Sequence, residues 1–309
     1  GKAFFFLFDF EMEKLVVLAQ NEWAGTSLWW EMNGRRNFKL PNRLPTKSPI
    51  SIRPKPITPS KYRTAFERVQ REINFGNSYL LNLTFPTEVS LSTSLSTIFL
   101  RSQAKYKLCL PNELVVFSPE TFVKIVNGQI QSFPMKGTID ATLPNARQLI
   151  LGDKKEQAEH ATIVDLIRND LNLVASNVSV ERFRYVEKIR STQKNLLQVS
   201  SKITGQLPAD YPQKIGDILL KLLPAGSISG APKQKTVAII RAAEGQPRGY
   251  YTGIMGHFDG QNLDSGVLIR YIEQQGRQYF YRSGGGITTF SEWEKEYQEL
   301  LDKIYVPIY

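Results

Sequence analysis

Cysteine and histidine are scarce in this chain, which has one cysteine and two histidines among 309 residues. The single Cys109 excludes an internal disulfide framework, and so few cysteine and histidine residues exclude a zinc site of the four-cysteine type. Cys109 lies in the segment LCLP, which lacks the flanking glycines of a Cys/His glutaminase nucleophile. Because low cysteine usage favours a reducing compartment, we expect a cytoplasmic protein.

Long hydrophobic runs are missing as well. The apolar stretch at residues 4–8 is followed at once by Asp9, Glu11 and Glu13. It is therefore too short to span a bilayer and has the wrong flanks for a secretory signal. We expect no membrane segment and no targeting signal, and the 41% of hydrophobic residues supply a sizeable core instead.

Basic residues outnumber acidic ones by 39 to 29, which gives a formal net charge of +10. This balance fits an anionic partner such as a nucleic acid, an acidic protein or a small polycarboxylate, and it equally fits a generally basic surface. The basic residues are spread along the chain, and no basic run is interleaved with aromatic residues. Nucleic-acid binding is therefore the weaker hypothesis, and we expect no such partner.

The local patterns indicate a mixture of helices and hairpins. Thr58 at an N-cap position, followed by a proline, predicts a helix that ends at Gly76. Between residues 114 and 133 the pattern changes to strands, and Asn127-Gly128 predicts a tight hairpin turn. Residues 41–59 contain six prolines and are predicted to form surface coil, and what precedes them is too short for a separate domain.

Lys136 lies between proline and glycine in residues 134–138 (PMKGT), directly after the predicted hairpin. Taken alone, a lysine in such a loop is usually a solvated surface charge. Held in place by its neighbours, the same amine is a candidate nucleophile. The other motifs of the chain decide between these two interpretations.

A helical period returns from Asp153 to about Val174, with apolar residues on one face. The remaining positions hold a polar set that is too dense for the solvent face of an ordinary surface helix. Some members of this set are expected to line a site: Glu159, Asp165, Arg168, Asn169 and Asp170.

The last helix is predicted to begin with a capping box formed by Ser291 and Glu294. Glu296, Glu299 and Lys303 then fall at positions i, i+3 and i+7 of one helix face. Two carboxylates one turn apart, joined by a third from another helix, would make an oxygen site suited to Mg²⁺. The alternative is a solvated charge pattern with a Glu299–Lys303 ion pair.

Two glycine-rich segments invite a phosphate interpretation. Residues 226–233 (GSISGAPK) lack the Gly-Lys-Ser/Thr ending of a P-loop, so we reject nucleotide binding there and expect the loop to lead into a helix over residues 232–243. Residues 283–286 (SGGG) are predicted to follow a strand over residues 277–282, which pairs with a strand over residues 267–273. That pairing brings Arg270 close to the glycines. Together they could bind a carboxylate, or the glycines could merely form a tight bend in the chain.

Together, these segments occur in the order found in chorismate-utilising enzymes, and the chain resembles their aminodeoxychorismate synthase component I branch. The resemblance covers most of residues 60–309. It implies an α+β fold with a single domain, residues 1–309, in which two large antiparallel sheets are stacked face to face with helices outside. The motifs that carry it are SPE at 118–120, PMKGT at 134–138, EH before IVDLIRNDL at 159–171, GSISGAPK at 226–233, RGYYTG at 248–253, IR at 269–270, SGGGI at 283–287 and the helix at 294–299.

The resemblance also implies the site. The cofactor is Mg²⁺, and its implied ligands are Glu159, Glu296 and Glu299. The enolpyruvyl carboxylate of chorismate is implied to lie on Tyr251 and Arg270, and the ring carboxylate on Gly284, Gly286 and Lys303. Further implied substrate-binding residues are Gly137, Thr138 and Gly285.

Lys136 is the position that distinguishes the branches, because anthranilate synthases are similar but have alanine there. The resemblance implies that neutral Lys136 attacks C2 of chorismate as hydroxide leaves C4, with Glu120 as the acid, and that ammonia then enters at C4 and displaces the lysine. This chemistry requires a depressed lysine pKa, which we expect from burial and from neighbouring cations. Ammonia is implied to come from a separate glutamine amidotransferase subunit.

Some positions depart from the pattern of the family. Gln198 stands where many relatives have histidine, and Leu80 stands where isochorismate and salicylate synthases have a water-activating lysine, so water addition at C2 is not expected. Three hypotheses remain. They are formation of 4-amino-4-deoxychorismate for p-aminobenzoate and folate synthesis, another chorismate reaction with anthranilate as product, and nonenzymatic binding through the basic surface.

Overall fold

The computed structural model describes residues 2–41, 49–189 and 195–308. Strands are the most abundant regular element among the described residues. In chain order the strands are β1 (Phe4–Phe8), β2 (Leu15–Ala19), β3 (Trp29–Met32), β4 (Arg35–Arg36), β5 (Ile52–Lys55), β6 (Leu80–Leu91), β7 (Tyr106–Leu110), β8 (Leu114–Ser118), β9 (Thr121–Val126), β10 (Gln129–Ser132), β11 (Met135–Asp140), β12 (Ser176–Ile189), β13 (Leu196–Gln206), β14 (Gly230–Ala231), β15 (Ile254–Phe258), β16 (Leu263–Val267), β17 (Tyr271–Gln275) and β18 (Gln278–Ile287).

Helices are inserted between the strands. None of the helices in the described ranges combines the length and apolar character needed to cross a membrane. They are α1 (Pro59–Asn74), α2 (Leu95–Arg101), α3 (Ala146–Gly152), α4 (Lys154–Asn172), α5 (Ile215–Leu222), α6 (Gly226–Ser229), α7 (Lys233–Glu244) and α8 (Trp293–Asp302).

The strands form two nine-stranded antiparallel sheets, as expected for the α+β fold. The first sheet has the order β11-β13-β10-β9-β16-β15-β1-β2, with β12 also paired to β13. The second has the order β14-β6-β18-β17-β8-β7-β3-β4, with β5 also paired to β6. The N-terminal strands are divided between the sheets, since β1 and β2 belong to the first sheet and β3, β4 and β5 to the second.

Three hydrophobic layers hold the elements together. Between the sheets, side chains of β1 and β15 pack against those of β3, β7 and β8. Helices α4 and α5 cover the first sheet, while α1, α7 and α8 pack on the outer side of β6 and β18. Each layer buries the apolar face of a helix or a sheet, as expected from the amphipathic patterns of the sequence.

The predicted first helix and hairpin are confirmed. Thr58 caps α1 with its side-chain oxygen 3.4 Å from the amide nitrogen of Lys61, and Gly76 follows the helix with a φ of 79°. Asn127 and Gly128 join β9 to β10 with φ values of 51° and 79°, as the tight turn requires. The helix predicted after Asp153 is α4.

The capping box predicted at the last helix is wrong. α8 begins at Trp293, and its N-cap residue Glu292 makes no side-chain capping bond. The hydroxyl of Ser291 donates instead to Glu296 Oε1 at 2.7 Å. The oxygen of that hydroxyl accepts from the amide of Thr288 at 3.2 Å, so it does not serve as acceptor for a helix amide.

The proline-rich segment is only partly coil. Residues 42–48 lie outside the described part of the chain, but Ile52–Lys55 form β5 and pair with β6. Pro54 is tolerated there because β5 is an edge strand, whose outer side needs no amide donor.

The glycine-rich end of β18 also differs from the prediction. The strand continues through Gly284, Gly285 and Gly286 to Ile287 and pairs with β6 from Tyr279 to its end. In contrast, the strand predicted over residues 267–273 is interrupted, since β16 ends in the first sheet and β17 begins in the second.

Candidate active site

A cleft of about 600 Å³ opens between the two sheets. On the side of the first sheet it is lined by β11, α4 and α6, and on the other side by β6, β18 and α8. Eleven of the thirteen predicted site residues line it: Glu120, Lys136, Gly137, Thr138, Glu159, Tyr251, Arg270, Gly284, Gly286, Glu299 and Lys303. The other two, Gly285 and Glu296, lie directly behind this lining.

Two of these residues occupy the points where the chain passes from one sheet to the other. Glu120 lies between β8 and β9, and Arg270 lies between β16 and β17. The crossings are tied together, because the amide of Val267 donates to the Glu120 carbonyl and the amide of Phe117 donates to the Arg270 carbonyl, each at 3.1 Å. Arg270 has a φ of 55°, an unusual conformation for a residue other than glycine, and one that concentrates at functional sites.

Lys136 lies in the edge strand β11 and not in the loop that was predicted. The register of β11 on β13 shifts between Met135 and Thr138, which marks a β-bulge. Gly137 supplies the left-handed residue of the bulge with a φ of 87°. This bulge directs the Lys136 side chain into the cleft, where its Nζ lies 2.7 Å from Glu159 Oε2.

The electrostatic surroundings of Lys136 oppose the predicted direction of its pKa. Burial lowers the pKa of this lysine, but the carboxylates of Glu159, Glu156 and Glu299 outweigh burial and raise it above its ordinary value. The predicted depression is therefore wrong for the chain without ligands. The reason is that acidic residues, not cations, are the nearest charges.

The surroundings of Glu120 favour its neutral form, whereas those of Lys136 favour its charged form. Burial raises the pKa of this carboxyl group, although a hydrogen bond from Ser227 and the charges of Lys303 and Arg270 act in the other direction. The Ser227 hydroxyl donates to Glu120 Oε1 at 2.7 Å. A carboxyl group with a raised pKa is suited to donating a proton, as a general acid must.

Gly285 brings two carboxylates together. A β-carbon at this position would lie 3.1 Å from Glu296 Oε2 and 3.3 Å from Glu299 Oε1. The two side chains therefore fill the space that any larger residue would occupy. Glu296 is buried and also accepts the bond from Ser291, whereas Glu299 reaches the cleft.

The implied magnesium ligands fit the cation in kind, since all of them are carboxylates and two converge on Gly285. In the structure, Glu159 is bonded to Lys136, and Glu299 is bonded to Lys303 at 2.6 Å. Within the described ranges no three such side chains are gathered into a ready-made metal site. Lys136 and Lys303 are thus paired with two of the carboxylates that would bind the cation.

The backbone of β18 offers donors to the cleft. Gly284 and Gly286 lie opposite Thr84 and Asn82 of β6. The Thr84 amide donates to Glu244 and the Asn82 carbonyl accepts from Arg248, so neither group bonds to β18. The amides of Gly284 and Gly286 therefore point away from β6, toward the edge of β18 that β17 occupies elsewhere. The pairing of β17 with β18 extends only as far as Arg282, so β17 does not reach these two amides. Lys303 Nζ donates to the Gly284 carbonyl at 2.6 Å on this side. Two amides and an ammonium group thus lie together, as a carboxylate site requires.

Arg270 and Tyr251 line the cleft as well. Tyr251 is buried, and burial raises the pKa of its phenol to about 12 although Arg248 and Arg270 lower it. Nε of Arg270 is buried and has no hydrogen-bond partner among the described residues. A guanidinium with unused donors beside a phenol is suited to a second carboxylate.

The structure adds residues that the sequence reasoning missed. Glu156 lines the cleft one turn before Glu159, and this i,i+3 spacing was a signal available in the sequence. Asn82 also lines the cleft, and within the described structure its buried Oδ1 has no hydrogen-bond partner. Tyr305, from beyond α8, is a third addition. No local pattern marks either of the last two.

Comparison with known proteins agrees with this geometry. Residues 3–308 match the family described as chorismate binding enzyme. The chain belongs to this family. Membership accounts for the two stacked sheets and for the order of the motifs along the chain.

Among other members of the chorismate binding enzyme family, the chain is 52% identical to an uncharacterised PabA-like protein of Pasteurella multocida, over 99% of the chain and 94% of that protein. It is 33% identical to aminodeoxychorismate synthase component 1 of Escherichia coli, over 80% of the chain and 57% of that protein. Anthranilate synthase component I of Streptococcus pneumoniae has a similar structure, with a TM-score of 0.68 and 25% identity over 83% of the chain and 59% of that protein.

Proposed function

We propose that the protein is the chorismate-converting component of an aminodeoxychorismate synthase, which forms 4-amino-4-deoxychorismate from chorismate and ammonia. The observation that carries this proposal is the placement of Lys136. Its amine enters the cleft from a β-bulge and lies among Glu156, Glu159 and Glu299. An amine so placed can act as a nucleophile once it is neutral.

In the proposed reaction Lys136 Nζ forms a bond to C2 of chorismate while the C4–O bond breaks. Glu120 supplies the proton that converts the leaving hydroxide to water. The lysine nitrogen loses its proton, so the adduct has the mass of the protein plus chorismate minus one water. Ammonia then forms a bond to C4 while the C2–N bond to Lys136 breaks, and a proton passes from the new ammonium group to the lysine nitrogen, which restores the neutral amine. The two carboxylates of the substrate would bind at Arg270 and Tyr251 and at the β18 amides with Lys303.

Mg²⁺ is the proposed cofactor, and Glu159, Glu296 and Glu299 would hold it. The chemistry supplied by a bound Mg²⁺ would be neutralisation of the ring carboxylate and of the carboxylates that keep Lys136 protonated. A glutamine amidotransferase subunit is the proposed source of ammonia, since the described structure contains no Cys/His glutaminase site.

Product identification tests the proposal. Purified protein is incubated with chorismate, ammonium and Mg²⁺, and the product is identified by chromatography with mass spectrometry. We expect 4-amino-4-deoxychorismate, and we expect the adduct in intact-protein mass spectra when ammonium is omitted. Anthranilate is the alternative product, because proteins named anthranilate synthase component 1 are also relatives, one of them 34% identical over 60% of the chain. Its release would refute the proposal.

Thermal unfolding tests the metal site without reference to activity. We expect saturating Mg²⁺ to raise the unfolding midpoint, because a ligand at 100 times its dissociation constant stabilises the folded state by about 2.7 kcal/mol. The shift should be larger in Lys136→Met, which removes the ammonium paired with Glu159, and should vanish in Glu299→Gln. Glu67→Gln, on exposed α1, is the control and should retain the full shift. If Mg²⁺ raised the unfolding midpoint of Glu299→Gln as much as that of the unaltered protein, the cation would bind elsewhere.

A further inference from the structure

After α8 the chain forms a C-terminal segment, residues 303–308, which is fastened beside the cleft. The carbonyl of Pro307 accepts from the amide of Gln103 at 2.9 Å, and Ile308 forms a bridge with Ser102. Ile304 and Val306 pack into the core cluster that includes Phe117 and Tyr281. The side chain between them, Tyr305, lines the cleft instead.

The position of Tyr305 is fixed by its backbone. Its carbonyl oxygen accepts from the hydroxyl of Tyr281 at 3.0 Å, and Tyr281 is fully buried in β18. Tyr305 as a whole residue, in contrast, is 46% exposed. The ring of Tyr305 lies against the guanidinium of Arg270.

The guanidinium carbon of Arg270 lies 5.0 Å from the centroid of the Tyr305 ring. This distance is within the range of a cation–π interaction, which draws a guanidinium toward the face of an aromatic ring. The Tyr305 side chain also forms a hydrogen bond with Arg270, so the contact uses part of the guanidinium and leaves its remaining N–H groups to a ligand. The Nε of Arg270, buried and without a partner in the described structure, is one such donor.

We propose that Tyr305 is a positioning residue for Arg270. By covering one side of the guanidinium and excluding water from it, the ring orients the donors toward the cleft and strengthens their hold on the enolpyruvyl carboxylate. Tyr305 thereby favours substrates with a second carboxylate over ring monocarboxylates. This inference rests on the proposed function, since it takes chorismate as the ligand.

Steady-state kinetics with two ligands test the inference. Chorismate has both carboxylates, whereas benzoate, used as a competitive inhibitor, has only the ring carboxylate. In Tyr305→Ala we expect the KM for chorismate to rise on the order of 3- to 30-fold, as expected for a lost cation–π contact. We expect kcat and the inhibition constant of benzoate to change less than about twofold. Tyr305→Phe, which keeps the ring, should restore KM, and Tyr305→Leu should not.

Three outcomes would overturn the inference without touching the proposed function. If Tyr305→Phe is as impaired as Tyr305→Ala, the hydroxyl and not the ring is responsible. If benzoate inhibition weakens as much as the KM for chorismate rises, the change is a general loss of structure. If every Tyr305 variant has an unaltered KM while the unaltered protein converts chorismate, the positioning role fails and the proposed function stands. Absence of chorismate conversion by the unaltered protein would instead refute both.

Discussion

Replacing Lys136 with alanine is expected to lower the rate of 4-amino-4-deoxychorismate formation by on the order of 10³-fold or more, because the reaction loses its nucleophile. The adduct in intact-protein mass spectra should disappear as well. Lys136→Arg should be equally inactive, since a guanidinium keeps the charge opposite Glu159 but is not a nucleophile at neutral pH. Rates are measured with saturating chorismate, ammonium and Mg²⁺.

The matched control for this experiment is Lys55→Ala. Lys55 also pairs with a glutamate, Glu88, but it is exposed on the edge strand β5. Its removal should leave the rate and the adduct unchanged, because an exposed ion pair contributes about 0–1 kcal/mol. Full activity of Lys136→Ala would eliminate the covalent route, and appearance of anthranilate in that variant alone would show that Lys136 selects the product.

Replacing Glu244 with alanine is expected to reduce the free energy of unfolding by about 3–5 kcal/mol. Glu244 is buried and receives Arg248 Nη2 at 2.7 Å and the Thr84 amide at 2.9 Å. Arg248 is 1% exposed and also donates to the carbonyls of Ile228 and Asn82. Without the carboxylate a buried guanidinium is left uncompensated, which is the costly case.

Glu67→Ala is the control, because Glu67 forms the same i,i+4 pair with Arg63 on the exposed side of α1, at 2.7 Å. Exposed helix pairs of this kind contribute roughly 0.3–0.5 kcal/mol. Denaturant unfolding of both variants measures the difference directly. An equal loss of stability in the two variants would contradict a structural role for the buried pair. Because Arg248 holds the backbones of β6 and α6 at the cleft, Glu244→Ala should also raise the KM for chorismate.

Some elements were predictable because their signals are local. The cap and proline of α1 and the turn at Asn127-Gly128 act within a few residues, and the structure confirms both. The capping box at Ser291 was wrong because the serine oxygen accepts from the amide of Thr288, outside the helix, while its hydroxyl donates to Glu296. The strand over residues 267–273 was wrong because periodicity does not reveal that a chain changes sheets between two strands.

The sequence by itself determined the family, the identity of eleven residues that line the cleft and the presence of a lysine among them. Only the tertiary structure decided how these residues act. It brought together the crossings at Glu120 and Arg270, directed Lys136 through a bulge and covered Arg270 with Tyr305. It also reversed the expected pKa of Lys136, because a pKa depends on the charges nearest in space, and those charges come from two helices far apart in the chain.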